Sequence, residues 1–146
     1  MRDIKFRAWD KTNNRMRLNL AEDGFFISPN NGNIVTPDNY SLYFGDRLIL
    51  LQYTGILDKN GNEIYEGDII EKRYDTPFVK ERLSKARGVV EYGTFSLLEE
   101  LGEVKRSVTG WFIEFEDKSG KIPVTNEFEV IGNVYENSDK IHGRRN

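Results

Sequence analysis

Apolar and polar residues alternate from the start of the chain. Ile4, Phe6 and Ala8 fall on one side and Lys5, Arg7 and Trp9 on the other, which is the two-residue period of a half-buried strand. Met16, Leu18 and Leu20 against Arg15, Arg17 and Asn19 repeat the pattern. Between them Lys11-Thr12-Asn13-Asn14 has turn chemistry, because Asn tolerates left-handed backbone angles and bonds its own main chain. The pattern predicts a hairpin. Opposed residues share a face, so pairing Ala8 with Leu18 and Phe6 with Leu20 keeps the apolar sets together and places Trp9 opposite Arg17. A slip of one residue would bury Arg15 and Arg17.

From 21 to 47 the chain is broken by Gly24, Pro29, Gly32, Pro37 and several Asn residues. Phe25-Phe26-Ile27 and Ile34-Val35 are expected as short strands around an Asn30-Asn31-Gly32-Asn33 turn. Leu48 to Leu57 returns to β composition and runs into Asp58-Lys59-Asn60-Gly61-Asn62. Asn-Gly is a strong hairpin signal, here for a type I′ turn, so Leu51 to Leu57 is expected to pair with Glu63 to Glu66.

After Gly67, Asp68 to Tyr74 reads as a strand. Thr76-Pro77 reads as an N-cap and first helical residue, with Val79, Leu83 and Ala86 following at helical spacing until Gly88, which predicts one short helix. Val89 to Tyr92, Thr94 to Leu98, Gly110 to Glu116 and Phe128 to Tyr135 are strand-sized. Pro123 marks Lys121 to Val124 as an edge strand, since proline cannot donate to a central ladder. Gly67, Gly93 and Gly110 read as bulges or corners that let a small sheet bend. The expected fold is mainly β: antiparallel hairpins packed with a small bent-sheet or barrel-like β domain, with one short helix. Its parts are an N-terminal hairpin subdomain with an irregular loop over 1–50, a barrel-like subdomain over 51–137 and a flexible tail over 138–146.

Composition narrows the chemistry. The 146 residues suit one ordinary globular domain, and a net charge of -3 gives no general pull toward nucleic acid or anionic lipid. There is no cysteine, which removes disulfides, thiolate-bound zinc and thiol catalysis. The longest apolar run, Leu48 to Leu51, is far below the ~20 residues that span a bilayer. The start Met1-Arg2-Asp3 lacks the form of a signal peptide, so a cytoplasmic protein with no membrane contact is expected. His142 is the one histidine and lies in the expected tail, a poor place for a catalytic base and too few imidazoles for a histidine metal site. Glycine-rich phosphate loops are absent. No catalytic residue, metal or cofactor is expected.

Three weaker patterns remain. Asp38 with Glu116-Asp117-Lys118 echoes the acid and acid-x-Lys set of Mg²⁺-dependent nucleases, but in a chain that is 31% charged it reads equally well as the polar end of a strand. Glu63, Glu66 and Asp68 flank the second hairpin, where acids commonly cap turns. Residues 1–20 carry six basic against two acidic residues. In the register above, Lys5, Arg7, Arg15 and Arg17 share a face with Trp9, a set able to track phosphates and stack a base. The plainer reading is a solvated sheet face with Arg17 lying on the Trp9 ring.

Three ordered blocks add a resemblance. Met1-Arg2-Asp3-Ile4-Lys5-Phe6-Arg7-Ala8-Trp9-Asp10, then Leu51-Gln52-Tyr53-Thr54-Gly55 through Asp58-Lys59-Asn60-Gly61 to Tyr65-Glu66-Gly67-Asp68-Ile69-Ile70, and finally Phe128 to Asn137 resemble the signature blocks of the YopX family of phage and prophage proteins. The blocks span nearly the whole chain. The resemblance implies a β-rich fold and a phage or prophage origin, and it transfers no catalytic residue. The sequence departs from plainer members around Thr76 to Arg87 and Leu98 to Thr109. The expectation is therefore a non-enzymatic binding or assembly module in a bacterial host cell, pairing with itself and with a phage or host protein. The motive for self-pairing is apolar residues on both faces of strands, as in Trp111 with Phe112 and Ile131 with Tyr135. Nucleic-acid binding through the basic hairpin face is the alternative, and the nuclease a distant third.

Overall fold

The computed structural model describes residues 2–35, 47–73, 85–98, 104–118 and 120–141. The chain is mainly β and divides into two compact units, Met1–Tyr53 and Thr54–Asn146. The boundary falls inside one long strand.

In the first unit β1 (Phe6–Asp10) pairs antiparallel with β2 (Arg15–Arg17) on one side, while β3 (Phe26–Ile27) and β4 (Ile34–Val35) form a small hairpin of their own. The strand β5 (Leu48–Leu57) lies on the other side of β1, pairing Phe6 with Gln52 and Asp10 with Leu48. Ala8, Leu20, Phe25, Ile34 and Leu48 form the core, with Phe6, Ile27 and Leu50 packed on it.

The first hairpin is one residue out of the expected register. Ala8 faces Arg17, Trp9 faces Met16 and Asp10 faces Arg15. Leu18, expected inside, is 74% exposed, and Arg17, expected outside, is only 9% exposed. An ion pair overrides the apolar pattern. Arg17 donates to the fully buried Asp10 through Nε at 2.9 Å and Nη2 at 2.7 Å, and its guanidinium lies 5.3 Å from the Phe25 ring centre. A buried charge that is paired and bonded can sit where an unpaired one cannot.

The second unit holds β6 (Glu63–Tyr65), β7 (Asp68–Arg73), β8 (Lys85–Leu98), β9 (Val104–Phe115), β10 (Lys121–Pro123) and β11 (Glu129–Asn133). Five of them form an antiparallel sheet in the order β10-β9-β8-β7-β11. Both of its faces are buried. Ile64, Ile70, Val90, Ile113, Val124 and Phe128 fill one side, and Ile69, Val89 and Ile141 the other. Neighbouring apolar residues such as Ile69-Ile70 and Val89-Val90 thus serve two cores.

The β5–β6 turn forms at Asn60-Gly61 as expected, but in another geometry. Gly61 alone is left-handed, with φ of 85°, and its amide donates to the Asp58 carbonyl at 3.1 Å. This is a type I turn closed by a left-handed glycine rather than a type I′ turn. The Asp58 carboxylate accepts the amides of Asn60 and Asn62, both at 2.8 Å, and so holds Asn60 in the right-handed region. Pro123 lies on the edge strand β10, as its missing donor requires.

The expected helix falls largely outside the described residues, and Lys85, Ala86 and Arg87 at its end belong to β8. Among the described residues the helical element is a 3₁₀ turn at Ser138–Lys140. Of the expected tail, 138–141 is packed: Ile141 is 4% exposed against Ile69 and Val89, and the Lys140 carbonyl accepts Arg87 Nη1 at 2.7 Å. His142 lies outside the described residues.

Candidate interaction surface

Acids are the groups left for chemistry, and three are buried with lowered pKa. Each is taken up by the fold. Asp10 accepts Arg47 Nε at 3.0 Å, Arg17 at 2.7 and 2.9 Å, and the amides of Thr12 and Asn13, so it closes the first hairpin turn. The bond from Arg47 leads in holding its carboxyl far below the ordinary carboxylate range, with Arg17 and Asn13 adding to it against the cost of burial. Burial pushes the Asp58 carboxyl up, and the amide of Val130 at 3.0 Å, with those of Asn62 and Asn60, more than offsets this. Glu71 follows the same logic, its burial outweighed by Arg87 at 2.6 Å and then Arg73 at 3.2 Å.

Asp68 and Glu63 also act on their own hairpin. Asp68 accepts the Tyr65 amide at 2.8 Å, and Glu63 accepts the Tyr65 hydroxyl at 2.8 Å. Among the described residues no three acids or histidines gather as metal ligands would. Of the nuclease pattern, Asp38 lies outside the described residues, and Glu116-Asp117-Lys118 forms the turn after β9.

The basic hairpin set is divided by the observed register. Lys5, Arg7 and Trp9 lie on one face of β1, while Arg15 and Arg17 fall on the face of Ala8 and Asp10. Trp9 is 9% exposed, beside Leu51 and Tyr53 at 1% and 6% on the same face. Lys5 Nζ sits 5.5 Å from the Tyr53 ring centre, and Arg17 bonds Asp10 and also Asp23 at 2.9 Å. The five residues therefore do not form one open surface.

The sequence reading missed a larger feature. Gly93 and Gly110 read as bulges or corners, yet β8 and β9 continue through them without a register shift and pair from Gly88↔Phe115 to Leu98↔Val104, with the two glycines opposed. A Cβ at Gly93 would lie 3.4 Å from Phe112 Cε1, so this ring covers the bare backbone and packs on Phe95 with ring centres 5.3 Å apart. The apolar pair Trp111 and Phe112 is thereby accounted for inside the unit: Phe112 is buried, and Trp111 packs on the core and meets Tyr92 edge-on at 5.0 Å. The matched spacing of Gly93-Thr94 and Thr109-Gly110 was the available signal. These threonines pair, their hydroxyls 2.9 Å apart.

The outer part of this hairpin is a two-stranded ribbon. The ladder between β7 and β8 ends at Ile69↔Val89, with the Gly67 amide reaching the Val90 carbonyl, and β10 reaches β9 only as far as Phe112. Among the described residues no strand pairs with the outer edge of β8 from Glu91 to Leu98. A cleft of about 550 Å³ lies between this stretch and the chain's own β10, lined by residues 94–97 of β8, Phe115, and residues 120–122 beside and in β10. Successive side chains of a strand point to opposite faces, so four consecutive residues reach one space only along the strand's edge. The cleft is therefore framed by strand edges, within the size range of ligand sites.

Fold and surface define an antiparallel all-β protein whose buried acids hold its turns and strands and whose longest hairpin has an edge that no other strand pairs with among the described residues. Residues 5–142 match the family described as YopX protein, and the chain belongs to that family. It is also similar to a solved structure, the crystal structure of protein EF1440 from Enterococcus faecalis, at 25% identity and a TM-score of 0.54, over 97% of this chain and 100% of that one. No curated protein matches. Among the described residues no helix is long and apolar enough to cross a membrane.

Proposed function

We propose that this protein is a phage- or prophage-encoded binding and assembly module without chemistry of its own, acting in the cytoplasm of the bacterial host and associating with itself. The observation that carries the reading is the β8–β9 ribbon, whose β8 edge from Glu91 to Leu98 meets no other strand among the described residues and borders a cleft. Open strand edges are templates for pairing, and proteins that keep them exposed use them or shield them. The lowered pKa values of Asp10, Asp58 and Glu71 give no separate support to catalysis, because the groups that lower them also build the fold.

Size-exclusion chromatography with light scattering tests the self-association. The reading expects a mass above that of the 17.0 kDa chain at micromolar concentration. A monomer throughout that range contradicts it. A phage or host protein is the second kind of partner this reading allows, and a pull-down during prophage induction would identify it.

A further inference from the structure

The open edges of the sheets differ in one respect. The edge strand β10 carries Lys121 and Pro123, β11 begins at Glu129, β2 carries Arg15 and Arg17, and β6 begins at Glu63. Charges and proline on an edge are the usual defence against unwanted strand pairing. The outer stretch of β8 also begins at a charge, Glu91, but from Tyr92 to Leu98 it carries neither, a run longer than the two-residue strands β3 and β4 that share this lack. The other side of the ribbon has the defence, for β9 carries Lys105-Arg106 in its sequence. An uncharged strand with aromatic and hydroxyl side chains fits a partner strand of the same kind, and each copy of the chain supplies one.

Resting on the self-association reading above, we infer that two copies join through antiparallel pairing of β8 with β8 across a two-fold axis at Thr94. An axis normal to the sheet keeps equivalent faces together, so the paired residue numbers are of equal parity. Centring on Thr94 sets Thr94 against Thr94, Gly93 against Phe95, Tyr92 against Ser96 and Glu91 against Leu97. No like charges oppose each other in this register. Phe95 covers the partner's Gly93 as Phe112 already does within the chain. Centring one position further on, at Phe95, would set Glu91 against Glu99, which like-charge repulsion disfavours.

The native chain has no cysteine, so single cysteines report the geometry cleanly. Residues directly opposed in an antiparallel pair have Cα atoms about 4.5–5.5 Å apart, within disulfide reach. Thr94→Cys, under a mild oxidant that accepts the two electrons and two protons released, is expected to give a covalent dimer. Thr109→Cys, one strand further from the axis in each copy and so about 14 Å from its mate, is expected to stay monomeric in a denaturing gel. Thr94 and Ser96 are exposed, so Thr94→Lys should keep the β circular dichroism while halving the solution mass, because two lysines then face each other. A wild-type monomer at micromolar concentration overturns both self-association and this pairing. A wild-type oligomer that survives Thr94→Lys and is not cross-linked by Thr94→Cys overturns the β8 pairing alone, leaving another surface as the contact.

Discussion

Asp10 in the first unit and Asp58 in the second hold equivalent places. Each is a buried acid that follows a strand and ties down the hairpin turn after it, and each also reaches a segment far away in sequence. The partners differ. Asp10 is satisfied largely by the guanidinium groups of Arg17 and Arg47, whereas Asp58 takes amides from Asn60, Asn62 and Val130. A charge held by charges leaves a buried cation behind when it is lost. A charge held by amides leaves neutral donors, some within reach of water at the turn.

The largest expected effect follows from that difference. Asp10→Ala takes the buried partner from Arg17, leaving it the more exposed Asp23, and loss of one partner of a buried pair costs about 3–5 kcal/mol. Asp10→Asn should cost nearly as much, because an amide nitrogen then meets guanidinium donors. Asp58→Ala should cost about 2–3 kcal/mol, from donors left unmet at roughly 1 kcal/mol or more each. Asp58→Asn should cost less, since its Oδ1 still accepts the Asn60 and Asn62 amides while its Nδ2 leaves the Val130 amide unmet. Urea denaturation of the four variants reads these differences directly, and equal losses for the two Asn variants would erase the contrast between the sites.

A smaller effect probes the far end of the second unit. Gly132 packs so closely on Asn137 that a Cβ would lie 2.4 Å from its Oδ1, the atom that accepts the Asn133 amide at 3.2 Å. Gly132→Ala should destabilise by about 1–3 kcal/mol, the usual cost of overpacking. Adding Asn137→Ala should recover part of the loss, and a loss that is simply additive would show that the clash is not its cause.

The pH dependence sharpens the comparison further. Asp10 and Asp58 have lowered folded-state pKa values, so each binds protons more weakly folded than unfolded. Their contribution is present above the unfolded value of about 3.9 and is lost as pH falls through the folded one. Stability should therefore decline below about pH 4, and Asp10→Asn should flatten the decline more than Asp58→Asn does, because Asp10 lies further below the ordinary range. Thermal melts between neutral pH and pH 2 measure the two slopes. The smallest effect is Thr94→Lys, expected within about 0.5 kcal/mol of wild type when both are measured dilute enough to be monomeric.

What could be read from the sequence tracks how local the forces are. The turn at Asn60-Gly61, the edge strand at Pro123 and the small hairpin of β3 and β4 depend on neighbours within a few residues, and their positions were legible. The register of the first hairpin was not, because it rests on Asp10 drawing Arg17 inward with help from Arg47, thirty-seven positions away. The β8–β9 ribbon was hidden for another reason. Its glycines look like bulges or corners until Phe112 is seen to cover Gly93. The basic face proposed from alternation dissolved with the register, since one residue of slip sends Arg15 and Arg17 to the other side of the sheet.

Amide hydrogen exchange at high and low protein concentration tests most directly whether the protein acts through its strand edge. If β8 pairs with a second copy, protection at Tyr92, Thr94 and Ser96, whose amides point away from β9, should rise with concentration, while the amides of Gly93, Phe95 and Leu97, already bonded to β9 within one chain, stay protected at both. Exchange at Tyr92, Thr94 and Ser96 that is the same at every concentration would contradict the account.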